Sequence, residues 1–311
     1  MGAADLNRER GLPDAPAPAR SSTVAERQIR EIVFFADLSA ASERAFGHAR
    51  LLAEGLDAHL TVYHAVELPA DAASDEGPRR EAWHRAEAAA RERVSHWTAG
   101  LTAPCDVIVE PQPSARQAVV DFVQTRRPDL AVMATHGREG LARFVLGSVT
   151  EAALAEGVCP VLCVREPEHG AALPYRRVLV PTDLTELSRL AFPVATAVAR
   201  AFAAEVIALH VAPTPAVSDS SSLYTVADSV EREVPDEQRL REMLERELPG
   251  VQVTARVELG SAWDRIVEVA RTERADLIVL TTHGHDSLAD RVLGSHAERL
   301  VRQAPCPVLV V

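Results

Sequence analysis

The sequence predicts an α/β protein built from two tandem doubly wound domains, each a five-stranded, mostly parallel sheet flanked by helices in a Rossmann-like arrangement. Three observations carry that prediction. First, the chain is written twice. FFADLSAASERAFGHA at 34–49 aligns with VPTDLTELSRLAFPVA at 180–195, and MATHGREGLARFVLGSVTEAALAEGVCPVLCV at 133–164 aligns with LTTHGHDSLADRVLGSHAERLVRQAPCPVLVV at 280–311. Two matched blocks in the same order, offset by 146 and 147 residues, mean a duplicated domain. Second, short apolar runs alternate with helix-length segments in each copy, the pattern of a right-handed parallel sheet with helices on both faces. Third, 47% of the 311 residues are hydrophobic but only 4% aromatic, so the core is aliphatic, as it is where helices pack on a buried parallel sheet.

The elements of the first copy follow in order. IREIVFFA (29–36) reads as a strand, and Ala45, Phe46, Ala49, Leu52, Ala53 and Leu56 form a stripe at helical spacing. HLTVYHAV (59–66) is a second strand, followed by a charged, Ala-rich helix from about Arg79 to Trp97. CDVIVE (105–110) is a third strand, and Ser114 with Gln117 spells a capping box opening the next helix. DLAVMA (129–134), a short helix from Ser148 to Ala155 and VLCV (161–164) complete the unit. The second copy repeats this with RVLVPT, EVIALHV, VQVTARV, DLIVLT and PVLVV as strands. Pro193, inside the first helix of that copy, removes a backbone donor and predicts a kink.

Outside the repeat, residues 1–27 are rich in Ala, Pro, Arg and Ser without periodicity, which predicts a disordered N-terminal tail. The two domains are placed at 28–165 and 176–311, joined by a linker at 166–175. Residues 213–234 read as a polar insertion after the second strand of the second copy.

Composition excludes several chemistries. All 33 basic residues are arginine, so there is no P-loop lysine and no Schiff-base nucleophile. A formal charge of -12 argues against a nucleic-acid surface, which needs a positive footprint. No apolar stretch reaches the length of a membrane span, and residues 1–20 lack the apolar block of a secretory signal, so the reading is a soluble, cytoplasmic protein. Cys105, Cys159, Cys163 and Cys306 form no CxxC pair and read as free, buried thiols.

Two motifs per copy fall beyond the carboxyl ends of the strands, where open parallel sheets bind ligands. The first is Asp37-Leu38-Ser39, repeated as Asp183-Leu184-Thr185. Its carboxylate and hydroxyl suit either a ligand donor or the orphan amides of a helix start. Glu186, where the first copy has Ala40, adds negative charge beside the second copy's motif. The second motif is Thr135-His136-Gly137, nine residues, then Gly147-Ser148, matched by Thr282-His283-Gly284, nine residues, then Gly294-Ser295. Glycines let backbone amides approach an anion, and the second pair leads into a helix N-terminus that favours phosphate. Ser148 with Glu151, and Ser295 with Glu298, also spell capping boxes, and those glutamates would repel a phosphate. Neither copy has a nucleophile elbow or a GxGxxG run after its first strand.

The D-L-S/T turn, the T-H-G, nine residues, G-S loop and the C-P-V-L strand together resemble the universal stress protein family in its tandem form. That resemblance implies a fold like that of adenine nucleotide alpha hydrolases and, in the nucleotide-binding branch, ATP across the carboxyl edge of each sheet. Carried over residue by residue, it implies that Asp37, Asp183, Ala65 and Val211 meet adenine or ribose, with Ser39 and Thr185 beside them. It implies phosphates resting on Gly137, Gly147, Ser148 and Val149 in one lobe, and on Gly284, Gly294, Ser295 and His296 in the other, while His136 and His283 beside the glycines suit either a phosphate contact or a loop-stabilising role. The family pattern begins with a glycine that is Ala134 in the first lobe and Thr281 in the second, so the first lobe is expected to bind ATP more tightly. Mg or Mn is expected, held mainly by the phosphates. The implied function is a non-catalytic stress-response sensor or regulator in which the two domains pair through their last strands as an intramolecular pseudo-dimer, with a further homodimer and an unknown protein partner as open questions. A scaffold with empty sites and a slow ATPase are the alternatives.

Overall fold

The computed structural model describes residues 28–67, 76–135, 146–165, 173–214, 227–281 and 295–311, of which 76–79, 227–234 and 295–296 by their backbone alone. The first copy runs β1 (Glu31–Phe35), α1 (Ala40–Leu56), β2 (His59–Glu67), α2 (Glu76–Thr98), β3 (Cys105–Gln112), α3 (Ala115–Arg126), β4 (Leu130–Ala134), α4 (Ser148–Glu156) and β5 (Val161–Val164). The second runs β6 (Arg177–Thr182), a 3-10 turn (Ser188–Leu190), α5 (Ala191–Phe202), β7 (Glu205–Ala212), α6 (Ala227–Glu247), β8 (Val253–Leu259), α7 (Ala262–Thr272), β9 (Leu277–Leu280), α8 (Ser295–Gln303) and β10 (Val308–Val310).

The two sets of five strands join into one ten-stranded sheet, ordered β3-β2-β1-β4-β5-β10-β9-β6-β7-β8. Every neighbouring pair is parallel except the seam, where β10 meets β5 antiparallel with Leu309 opposite Leu162. In each lobe the winding reverses beside its first strand, since β1 pairs with β2 on one side and β4 on the other. That reversal opens a crevice at the strands' carboxyl ends.

Two apolar layers sandwich the sheet, and both are continuous across the seam. One holds Phe34, Phe46, Trp97 and Tyr175 with Val194, Val198 and Leu240, so α1, α2, α5 and α6 share a face. The other holds Val119, Val123, Leu154, Ile266, Leu300 and Val301 from α3, α4, α7 and α8. The lobes also pack helix to helix. A Cβ built on Gly55 of α1 would overlap the Phe202 ring at the end of α5, so only glycine lets the helices approach this closely. Beside that contact, buried His48 of α1 shares a 2.8 Å hydrogen bond, through Nδ1, with the hydroxyl of fully buried Tyr175.

The structure corrects several expectations. The chain turns through a 3-10 segment before α5 begins at Ala191, which puts Pro193 in the first turn, where no intrahelical donor is needed. The expected kink therefore does not arise. Residues 227–234 of the supposed insertion belong to helix α6, the counterpart of α2. Among the described residues none of the four cysteines is in a disulfide, but only Cys163 and Cys306 are buried; Cys105 and Cys159 are half-buried. Among the described residues, no helix is long and apolar enough to cross a membrane.

Candidate functional site

The carboxyl ends of β1, β2 and β4, the inner face of α2 and the start of α4 enclose a cleft of 1380 Å³. It is larger than the roughly 300–1,000 Å³ of ordinary ligand pockets. Asp37, Ala65, Ala134, Gly147, Ser148 and Val149 all line it.

Its floor is set by local hydrogen bonding. The Asp37 Oδ1 accepts from the Ser39 amide at 2.9 Å, and the Ser39 hydroxyl caps α1 by accepting from the Ser42 amide at 3.1 Å. Ser39 is thus an N-cap that orients the aspartate, and Leu38 between them is held left-handed at φ 60°. The second lobe reproduces the turn: Asp183 Oδ1 accepts from the Thr185 amide at 3.0 Å and its hydroxyl at 2.6 Å, with Leu184 at φ 63°. Glu186, expected to burden this site with charge, is exposed and bonded to Arg189, which also donates from Nε to Glu247 at 2.8 Å.

The roof is the start of α4. Gly147, not Ser148, is the N-cap, because the first intrahelical bond runs from the Glu151 amide to the Gly147 carbonyl at 2.9 Å. The Ser148–Glu151 capping box is therefore not formed, and Ser148 is an exposed first helical residue. The amides of Ser148, Val149 and Thr150 have no intrahelical acceptor and sit at the positive end of the macrodipole. The Gly147 amide is taken by the Thr135 carbonyl at 3.1 Å, and a Cβ on Gly147 would stand 3.4 Å from that oxygen. Buried Thr150 fastens the turn to β4 by donating from Oγ1 to the Ala134 carbonyl at 3.1 Å.

Three contributors escape sequence reasoning. His64 Nδ1 donates to the Ala36 carbonyl at 2.7 Å, strapping β2 to the residue before Asp37. His210 does the same to Thr182 at 2.9 Å, and its Nε2 lies 3.8 Å from Asp236 of α6. Arg93 brings an exposed guanidinium from α2 to the cleft wall beside Ala86, Ala89 and Ala90. Nothing in their spacing marks the histidines, since each partner is a backbone carbonyl 28 positions away. Of the remaining expected residues, Val211 and Thr281 are half-buried at the carboxyl ends of β7 and β9. Ser295 and His296 open α8, and His136, Gly137, His283, Gly284 and Gly294 lie outside the described residues.

A sequence model described as the universal stress protein family matches residues 28–165 and again 174–311. The chain belongs to the universal stress protein family. It is 33% identical over 141 residues to universal stress protein MJ0531 of Methanocaldococcus jannaschii, covering 44% of this chain and 82% of the relative. Universal stress protein Rv2005c of Mycobacterium tuberculosis is 30% identical over 185 residues, 58% of this chain and 61% of that protein. A crystal structure of a universal stress protein from Archaeoglobus fulgidus superposes with a TM-score of 0.65 over 91% of this chain and 98% of its own, at 21% identity. That likeness establishes that this universal stress protein shares the fold over both lobes.

Proposed function

We propose that this universal stress protein binds an adenine nucleotide, ATP with Mg or Mn, in the first-lobe cleft and acts as a non-catalytic stress-response sensor. The observation that carries this reading is the set of helix-start amides at Ser148, Val149 and Thr150 facing a cleft whose far wall is Asp37. Ala134 adds one methyl at the first position of the phosphate loop. Among the described residues no three His, Cys, Asp or Glu side chains converge as a metal site, so a divalent cation would be held mainly by phosphate oxygens. Exposed Glu151 opposes a bare phosphate, and the cation offsets it.

The second lobe is the weaker site on this reading. Thr281 is β-branched where the loop leaves β9, and Asp236 brings a carboxylate to His210, where the first lobe presents alanines. Mass spectrometry of the freshly purified, denatured protein should release ATP. Mg-ATP should raise the melting temperature, EDTA should abolish most of that rise, and Asp37→Ala should weaken binding about tenfold. No co-released nucleotide together with no thermal shift would favour the scaffold alternative.

A further inference from the structure

A second cavity, of 780 Å³, lies between the lobes at the amino-terminal edge of the sheet, on the far side from the nucleotide cleft. Its walls come from both copies: the approach to β1 and the end of α1 from one, α5 and the end of α6 from the other. Internal duplication supplies its own control, because the corresponding side chains of the other copy are engaged with one another and with the neighbouring backbone. With α1 and α5 aligned at their 146-residue offset, Thr196 corresponds to Arg50 and Arg200 to Glu54. In the first copy Arg50 pairs with Glu54 at 3.2 Å and donates to the Ala99 and Gly100 carbonyls, while Glu54 accepts from the Thr102 amide. That ion pair consumes both side chains. Gly47, the counterpart of Pro193, is moreover approached by Leu173, whose Cδ1 would stand 3.7 Å from an added Cβ.

In the second copy the guanidinium has moved one helical turn. Arg200 takes over the carbonyl-capping duty, donating from Nη2 to Pro249 at 2.7 Å, and the position it vacates is a threonine. The space is left open. Thr196 is only 5% exposed, yet its hydroxyl has no hydrogen-bond partner among the described residues. A buried hydroxyl without a partner is uncommon and marks a place where a ligand or water atom belongs.

The charge of the groove specifies the ligand. Arg30, Arg200 and Arg246 converge on it in a protein of net charge -12. Arg30 donates to the Gln28 side-chain oxygen and Arg246 to the Glu242 carbonyl, both neutral acceptors, and each guanidinium carries five donors. Of the two carboxylates on the wall, Glu247 is engaged by Arg189, leaving Asp57 on the rim. The carboxyl ends of α1 and α6 contribute about half a negative charge each, less than three full cations supply. Ile29, Leu56, Pro104, Pro193 and Ala197 supply an apolar stretch of wall, beside the polar Gln28 and His59.

We infer that this interlobe groove binds a small organic anion, a phosphate or carboxylate carried on an apolar body, with the anion on the arginines and Thr196 at its edge. Phenyl phosphate is the probe, with phenol and inorganic phosphate as controls for its two halves. Titration of the full chain, saturated with Mg-ATP, should give a Kd near or below about 1 mM for phenyl phosphate and much weaker binding for either control. Thr196→Arg combined with Arg200→Glu transplants the first copy's ion pair and should weaken the probe about tenfold or more while leaving the Mg-ATP thermal shift unchanged. If the double variant does not fold, Arg246→Gln, on an exposed side chain, should weaken it about threefold. Inorganic phosphate binding as well as phenyl phosphate would overturn the organic component, since charge alone would then suffice. Competition between the probe and ATP, no binding at about 10 mM, or affinity indifferent to both substitutions would overturn the site.

Discussion

Leu38 and Leu184 occupy the left-handed region, a placement that costs a side chain with a Cβ roughly 1–2 kcal/mol. Both copies retain it because the aspartate that accepts from the amide two residues on, and the Ser39 or Thr185 hydroxyl that accepts from the amide three residues further, fix the chain on either side. The outcome is a carboxylate fixed just past the end of the first strand, which in the first lobe lines the cleft. His48 is a different residue-scale commitment. Burial lowers its pKa from 6.5 to about 4, so the folded protein holds this ring neutral against Tyr175. Between those two values the unfolded chain binds the proton and the folded chain does not, so stability falls as pH falls from 6.5 towards 4. The full loss is about 3 kcal/mol, and denaturant unfolding across that range should show it. His48→Gln should flatten the slope; an unchanged pH dependence would show that another group carries it.

At the scale of elements, the packing of α1 on α5 is governed by what is missing from Gly55. Gly55→Ala gains about 1 kcal/mol of helix propensity but presses a methyl into the Phe202 ring, an overpacking cost of about 1–3 kcal/mol. Net destabilisation is expected, relieved by adding Phe202→Leu; a stabilised single variant would mean the helices part freely. Pro193→Ala should change stability by less than about 1 kcal/mol, since the proline occupies a first-turn position with no intrahelical bond to lose. A larger loss on thermal unfolding would mean that its ring shapes the entry to α5. The elements themselves were legible in the sequence because period, turn residues and duplication agreed. Their joints were less so. Ser148 read as a cap because Ser and Glu stand three apart, yet the cap falls one residue earlier, on the carbonyl that accepts the first helical bond. The strap from His64 to Ala36 and the interlobe groove depend on segments far apart in sequence, and no local pattern encodes them.

For the molecule as a whole, the antiparallel seam makes each lobe the cover of the other's sheet edge. An isolated first lobe, residues 28–165, would present β5 and the α1 face around Gly55 to water. It should self-associate, as light scattering after size-exclusion chromatography would reveal; a monodisperse monomer would mean the seam contributes little. The same ladder also imposes a schedule. Cys163 awaits Val308, 145 positions further along the chain. At about 5–20 residues per second, a ribosome takes roughly 7–29 s to deliver the strand that closes the edge. Through that interval the first lobe is a nearly finished domain with an open ladder, and neighbouring nascent chains on one messenger carry the same ladder. Slowing translation of the second copy should therefore favour pairing between chains over pairing within them.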